Sequence, residues 1–500
     1  YGQALLRLGK ADEAANVLEK VLDKGRGSAI ALVYGEALEK SGRLKDAEEL
    51  FESVLRQDSE NRAAAVGLLK VYERSRQFDK AIPIVEAFLK AQPGNVSLRI
   101  EYGSTLLRAR RYTDATKVFQ DVLKADPGNR DALRQYGTLL SETRETDKAD
   151  EVFRRLQELE PEDADVPFRR ALNFIDARRL PEAEKILLAL KDQLAAKKRD
   201  EAEVGQVEGQ LAYIAFLKKD YATAKKYASS HLMSEEGIDL QAFNLLTQIA
   251  RDQEAWADGL AIARQAAAKN PKLLTVRSTL AEFLVRSSKA EDQKEGEKLL
   301  ETLAGESREG TLAASDAWQR LERYSRAAAT ARAALETYPE DPDLLFRLAA
   351  SLEREKKISE SVAAFEKLLT VRQDHAAGMN YLGYLWADRG ENLPRALTLI
   401  RRAVELDPGN GAYLDSLGWV YFQMNQLDKA EQNLKAAAEL NPDDATIEEH
   451  LGDLYDKRGE NEKARIAWRR AISLKPEDGG RKLEEKLRRA EERSAHARNK

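Results

Sequence analysis

The chain has no cysteine, so it carries no disulfide, no thiolate zinc site and no cysteine nucleophile. That absence leaves the compartment open, because a reducing cytosol and a bacterial periplasm both accept such a sequence. Histidine is scarce: His231, His375, His450 and His496 lie far apart and in no metal-ligand spacing. No apolar run approaches the ~18 residues of a membrane span. No Gly-Lys-Ser/Thr phosphate loop is present, since Gly9-Lys10 is followed by Ala11, and no G-x-G-x-x-G or G-x-S-x-G occurs. Excess charge of one sign is missing too: 81 Lys+Arg stand against 86 Asp+Glu, a net −5 over 500 residues. That balance gives no argument for nucleic acid or an anionic membrane. No signal peptide is visible, but Tyr1-Gly2 enters a helical pattern in its middle, so the true N-terminus is expected to lie upstream. The expectation is a chain with no catalytic residues, no metal and no cofactor.

What the chain does have is a period. Pro93, Pro127 and Pro161 are spaced by 34 residues, and so are Pro408, Pro442 and Pro476. Gly103 keeps step with Gly137, Ala115 with Ala149, Phe119 with Phe153, Gly418 with Gly452 and Ala430 with Ala464. A fixed period of this length marks a stack of supersecondary units, none of which can bury its apolar face alone.

One unit, Val96–Asn129, shows the design. Leu98, Tyr102, Gly103, Leu106 and Leu107 fall at helical spacing. Arg110–Asp114 reads as a short polar turn, and Ala115, Val118, Phe119, Val122 and Leu123 define a second helix. Asp126-Pro127-Gly128-Asn129 ends it, proline breaking the ladder and Gly-Asn allowing positive φ. Gly103 predicts a close helix crossing, answered by Ala115 and filled by Phe119.

This pattern resembles the tetratricopeptide repeat family: a small residue late in the first helix, alanine early in the second, an aromatic or Leu one turn on, and a terminal proline. Four units carry the whole set: Gly103, Ala115, Phe119, Pro127; Gly137, Ala149, Phe153, Pro161; Gly418, Ala430, Leu434, Pro442; and Gly452, Ala464, Trp468, Pro476. The unit 28–61 has Ser59 for the proline, and 62–95 has Leu69 at the small position and Pro83 inside its second helix, where a distortion is expected. The unit 376–410 is one residue longer, the extra residue lying in Gly390–Leu393, with Pro394 suited to a first helical turn. The resemblance implies an all-α solenoid, a right-handed superhelix of about thirteen helix-turn-helix repeats.

The middle departs from the pattern. A charged stretch, Lys191–Glu203, lengthens a second helix or its loop, and Ser287–Glu295 reads as a longer inter-helix segment, with Trp256 just ahead of a second helix. Gly205 and Gly209 read as close helix packing. The reading divides the chain into a regular N-terminal array (1–163), degenerate repeats (164–341), a regular C-terminal array (342–478) and a charged capping helix (479–500). In that tail Leu483, Leu487 and Ala490 form a stripe fit to lie on the last hairpin, and residues from Ser494 are expected to fray.

Function is then a matter of surface. First helices of such a family line the concave face, where partners bind. First-helix residues that do not look like packing residues recur at equivalent positions: Asn380, Tyr384 and Asp388; Asp415, Trp419 and Gln423; Glu449, Asp453 and Lys457. Tyr384 and Trp419 equally suit a groove, as binding aromatics, or packing between neighbouring first helices. The N-terminal array carries Lys70, Arg74, Arg108 and Arg134 there, which matches an acidic peptide. No three repeats show the Lys and Asn set that grips chaperone tails. The closing repeats (Asn380–Gly390, Leu414–Tyr421, His450–Asp453) look like those of large bacterial multi-repeat proteins, many of them exported, which favours a periplasmic or envelope location. The expectation is a non-enzymatic protein-binding scaffold. The alternatives are an assembly factor of an envelope or secretion machine, or the regulatory region of a larger enzyme.

Overall fold

Each period folds as two helices joined by about three residues, because glycine or alanine at the crossing lets the pair close onto one large side chain. The computed structural model describes residues 1–22, 28–197, 201–233, 237–474 and 480–498, with the backbone alone at 22, 28, 201 and 493–498. Contacts divide the chain into two units, Tyr1–Met233 and Ser234–Lys500.

The first unit opens with α1 (Gly2–Arg7) and α2 (Ala11–Leu22), then α3 (Ser28–Lys40) and α4 (Leu44–Gln57). It continues with α5 (Arg62–Arg74) and α6 (Phe78–Ala91), then α7 (Val96–Arg108) and α8 (Tyr112–Ala125). It ends with α9 (Arg130–Glu142) and α10 (Thr146–Leu159), α11 (Asp165–Asp176) and α12 (Leu180–Ala196), and α13 (Glu201–Leu217) and α14 (Tyr221–Ser230).

The second unit opens with α15 (Leu240–Asp252) and α16 (Trp256–Lys269), then α17 (Leu274–Val285) and α18 (Ala290–Glu306). Next come α19 (Arg308–Arg320) and α20 (Tyr324–Leu335), then α21 (Pro342–Arg354) and α22 (Ile358–Val371). It closes with α23 (Ala376–Asp388) and α24 (Leu393–Leu406), α25 (Gly411–Gln423) and α26 (Leu427–Leu440), α27 (Ala445–Lys457) and α28 (Asn461–Ser473), and a last helix, α29 (Arg481–Arg498). Among the described residues that makes fourteen hairpins, one more than the count from sequence, the partial α1–α2 pair included.

The crossing is built as the residues predict. A Cβ added at Gly103 would stand 2.7 Å from the Phe119 ring, one at Gly137 2.6 Å from Phe153, and one at Gly452 2.3 Å from Trp468. Ala115, Ala149, Ala430 and Ala464 are fully buried beside them. Burying each ring contributes ~2–3 kcal/mol, which no single hairpin could do on both faces. In 62–95, where Leu69 replaces the small residue, the close approach moves to Gly67, against Phe51 of α4.

The turns differ from the expectation. The left-handed residue sits inside the hairpin, not between hairpins: Arg76, Arg110, Arg144 and Arg178 have φ of 56° to 60°, and every other hairpin except α17–α18 has a counterpart. There Glu145 N–H donates to Leu140 O (2.8 Å) and Arg144 N–H to Ser141 O, closing the helix end. Between hairpins Gly128 is not left-handed; instead Asn129 caps α9 by accepting from Ala132 N–H (3.0 Å) and donates to Asp126 (3.2 Å).

Other particulars also resolve. The 180–196 helix takes up the first part of the charged stretch as extra length, 198–200 lie outside the described residues, and 201–203 open α13. Ala290–Glu295 belong to α18, so the inter-helix segment there is only 286–289, and Trp256 is the first residue of α16. Helix α6 runs unbroken through Pro83, and Pro394 stands in the first turn of α24. Gly205 and Gly209 do not mark a close crossing; their nearest neighbour is the His231 side chain at 3.6 Å, an ordinary contact. Leu483 and Ala490 of α29 are buried in the terminal core. Pro476 lies outside the described residues, and the fraying expected from Ser494 falls where no side chain is described.

Candidate partner-binding face

First helices of successive hairpins pack directly on one another: α1 on α3, α3 on α5, α7 on α9, α17 on α19, α19 on α21, α23 on α25 and α25 on α27. This close approach sets the outer positions of those first helices side by side. A residue on one first helix reaches the next at 31 to 38 positions along the chain.

In the first unit that reach is used for ion pairs. Arg74 Nη1 lies 2.6 Å from Glu39 Oε1, and Arg108 Nη1 lies 2.7 Å from Glu73 Oε1, both 35 residues apart. Arg134 binds Glu160 (2.5 Å), Asp163 (2.7 Å) and Asp165 (3.0 Å). Asp163 is pushed up by burial, but Arg134 and the Asp165 amide outweigh this and hold its carboxyl below the usual range. Of the four basic residues singled out in the sequence, Lys70 is exposed and the three arginines face carboxylates of this same chain.

The middle hairpins carry a feature the sequence reading missed. Glu282 on α17 is completely buried, and its two oxygens are held by Arg251 of α15 (2.8 and 3.0 Å) and Arg320 of α19 (2.7 Å). Burial opposes its ionisation, but the two guanidiniums win and keep its pKa below the ordinary value. Further along, Arg347 binds Asp316 at 2.7 Å.

The C-terminal face is different. His450 Nδ1 lies 2.8 Å from Asp415 Oδ1, and the imidazole stacks on Trp419 with centroids 4.0 Å apart. Trp419 also stacks with Phe422 at 4.7 Å, and Tyr384 approaches His450 at 6.3 Å. Burial drives His450 toward neutrality, but Asp415, backed by Asp453 and Glu449, holds its pKa above the ordinary imidazole value. Lys486 of α29 binds Glu449 (2.7 Å) and both oxygens of Asp453 (2.7 Å), and Trp468 Nε1 donates to Asp453 (3.0 Å). Lys457 lies 4.3 Å from the Phe422 ring centroid and donates to Phe422 O at 3.3 Å.

The sequence-selected residues therefore come together on α23, α25 and α27, but in unequal states. Asp415, Glu449 and Asp453 are engaged within the chain. Trp419 is 8% exposed, so its ring packs between first helices. Its Nε1 nevertheless has no hydrogen-bond partner, and neither has Asn380 Oδ1. Asp388 is exposed, and Tyr384 and Gln423 are half-buried. His450 and Lys486 were not anticipated. The signal that finds His450, Arg74 and Arg108 is an opposite charge 35 residues away on the neighbouring first helix.

Stacked helical hairpins whose first helices pack on one another define a helical-repeat protein. A tetratricopeptide repeat model matches residues 2–62, 66–130, 312–370, 356–411 and 416–479, and a second matches 106–166. These segments span more than half of the chain, and the protein belongs to the tetratricopeptide repeat family. It is similar to the TPR repeat-containing protein PA4667 of Pseudomonas aeruginosa, 33% identical over 101 residues, which is 20% of this chain and 17% of that protein. Among solved structures it is similar to MamA (41-end) from Desulfovibrio magneticus RS-1, at 19% identity and a TM-score of 0.30, over 34% of this chain and 96% of that one. The thermophilic TPR protein TTC0263 of Thermus thermophilus aligns at 24% identity and a TM-score of 0.33 over 37% and 98%. The APC/C hetero-tetramer Cut9–Hcn1 aligns at 15% and 0.34 over 90% and 87%. Among the described residues no helix is long and apolar enough to cross a membrane.

Proposed function

We propose that this protein-interaction scaffold docks its partner on the first-helix face of the C-terminal hairpins, over α23, α25 and α27. One observation carries the reading. The arginines on the first helices of the first unit are tied to carboxylates of this same chain, whereas on α23 and α25 the exposed Asp388 and the half-buried Tyr384 and Gln423 offer charge, ring and amide at the surface. The face is held rigid by its own stacked rings and ion pairs, so little order is lost on binding.

Site-specific photocrosslinking in the native host tests this. A photoreactive residue at Gln423, on α25, is expected to trap a discrete partner, and one at the exposed Thr398, on α24, to trap none. The reverse pattern would remove the docking face from the first helices.

A further inference from the structure

We propose that the groove across α15, α17 and α19 is a second docking site, which takes an extended protein segment through a glutamate or aspartate side chain held by Arg320. It lies in the middle hairpins and does not depend on the face over α23, α25 and α27.

The sequence sets arginine at one position of four successive hairpins. Arg251, Arg286, Arg320 and Arg354 recur 34 or 35 residues apart, each within one residue of the end of its first helix. A cation there complements the helix dipole, which accounts for the residue type. It does not account for how the guanidiniums are used. In the first unit the arginines at this position each have a carboxylate of their own, Glu39 for Arg74 and Glu73 for Arg108. In the middle hairpins Arg251 and Arg320 share one, the buried Glu282. Arg286 has no carboxylate partner among the described residues: its guanidinium lies 4.2 Å from the Trp256 ring centroid and donates to the Arg320 carbonyl oxygen. Cations therefore exceed their anions at this point of the stack.

Glu282 engages only part of Arg320. Its Oε2 accepts from Arg320 Nε at 2.7 Å, and the two Nη groups make no hydrogen bond among the described residues. The side chain is 40% exposed and lines the groove, so a partner reaches it from solvent. Two Nη groups in one plane match the two oxygens of a carboxylate.

The groove has a volume of 410 Å³ and spans three first helices, which suits an extended segment. The exposed Asn244, Gln248 and Thr275 line it beside Arg251 and Arg320. Asn244 and Thr275 can each donate to and accept from a main chain. The carboxylates nearby are already engaged: Asp316 by Arg347 at 2.7 Å, and Asp252 by the Gln248 amide at 2.8 Å.

Fluorescence anisotropy on the full chain tests the proposal, with labelled glycine-serine peptides interspersed with glutamate, lysine or alanine. The glutamate peptide is expected to bind, more weakly as salt rises, and the lysine and alanine peptides are not. Arg320→Lys keeps the charge but loses the fork, and should weaken the glutamate peptide about fivefold. Arg286→Gln breaks no contact with a carboxylate and should weaken it about threefold. Lys294→Gln makes the same charge change on the exposed side of α18 and should leave binding unchanged, with circular dichroism confirming that all variants fold. Equal binding of glutamate and lysine peptides, or effects of Arg320→Lys and Arg286→Gln no larger than that of Lys294→Gln, would overturn the proposal. So would a labelled single-stranded oligonucleotide that binds more tightly than the glutamate peptide and is lost in the same variants, since the groove would then be a nucleic-acid site. Crosslinking at Gln423 is a separate readout: its failure removes the face over α23, α25 and α27 and leaves this groove as it stands.

Discussion

At the scale of the residue, the fold depends on side chains that are absent. Gly418 faces Leu434 so closely that an added Cβ would stand 2.6 Å from its Cγ and 3.2 Å from the Ala430 carbonyl oxygen. Gly418→Leu is therefore expected to cost about 1–3 kcal/mol, because overpacking exceeds the gain in helix propensity. A lowered melting temperature with the helical spectrum retained would confirm it, and an unchanged one would contradict the crossing. This layer was legible in the sequence, since glycine, alanine and aromatic recur at fixed offsets. The hairpin turn was less so. Arginine, lysine and glutamate occupy left-handed backbone at Arg144, Lys219 and Glu254, where their side chains give no sign of it. The Asp126–Asn129 cap was read only as a break, because the same letters serve both purposes.

At the scale of the element, polar side chains tie first helices into series. Glu282 is the strongest such link, joining α15, α17 and α19 through two guanidiniums around one fully buried carboxylate. Glu282→Gln leaves both arginines without their counter-ion and should destabilise the second unit by about 3 kcal/mol, read from denaturant unfolding. The sign with pH follows from its lowered pKa. The stabilisation is present above the ordinary glutamate value of 4.5 and is lost as pH falls through the folded value. Wild type should therefore weaken across that acid window more steeply than the variant. Sequence periodicity did not show this triad, because 31 and 38 residues separate the partners and a repeat-by-repeat reading compares residues 34 apart. The C-terminal candidate residues were found for the right helices but with mixed roles. Asp415 and Asp453 look like surface acids in one dimension and become a histidine's and a lysine's partners only when α27 and α29 close over them.

At the scale of the molecule, the repeat makes stability a sum of neighbours. The units 1–233 and 234–500 each carry their own buried cores. Produced separately, each is expected to keep its helical spectrum and melt cooperatively, as followed by circular dichroism. A fragment that stays unfolded alone would show that its core is completed by the other. The family was legible in the sequence, and the period was clearest in the first and last arrays. The division near 233 was not legible, since the irregular repeats around it still form hairpins.

The left-handed hinge in thirteen hairpins has one more consequence. Its conformation is the same whether glycine, asparagine, arginine, lysine or glutamate stands there, so it is imposed by the helices on either side and not by the local letter. Recombination that gains or loses one whole period in register would join ends that already match. The length of such an array can therefore drift by whole modules while every joint stays correct.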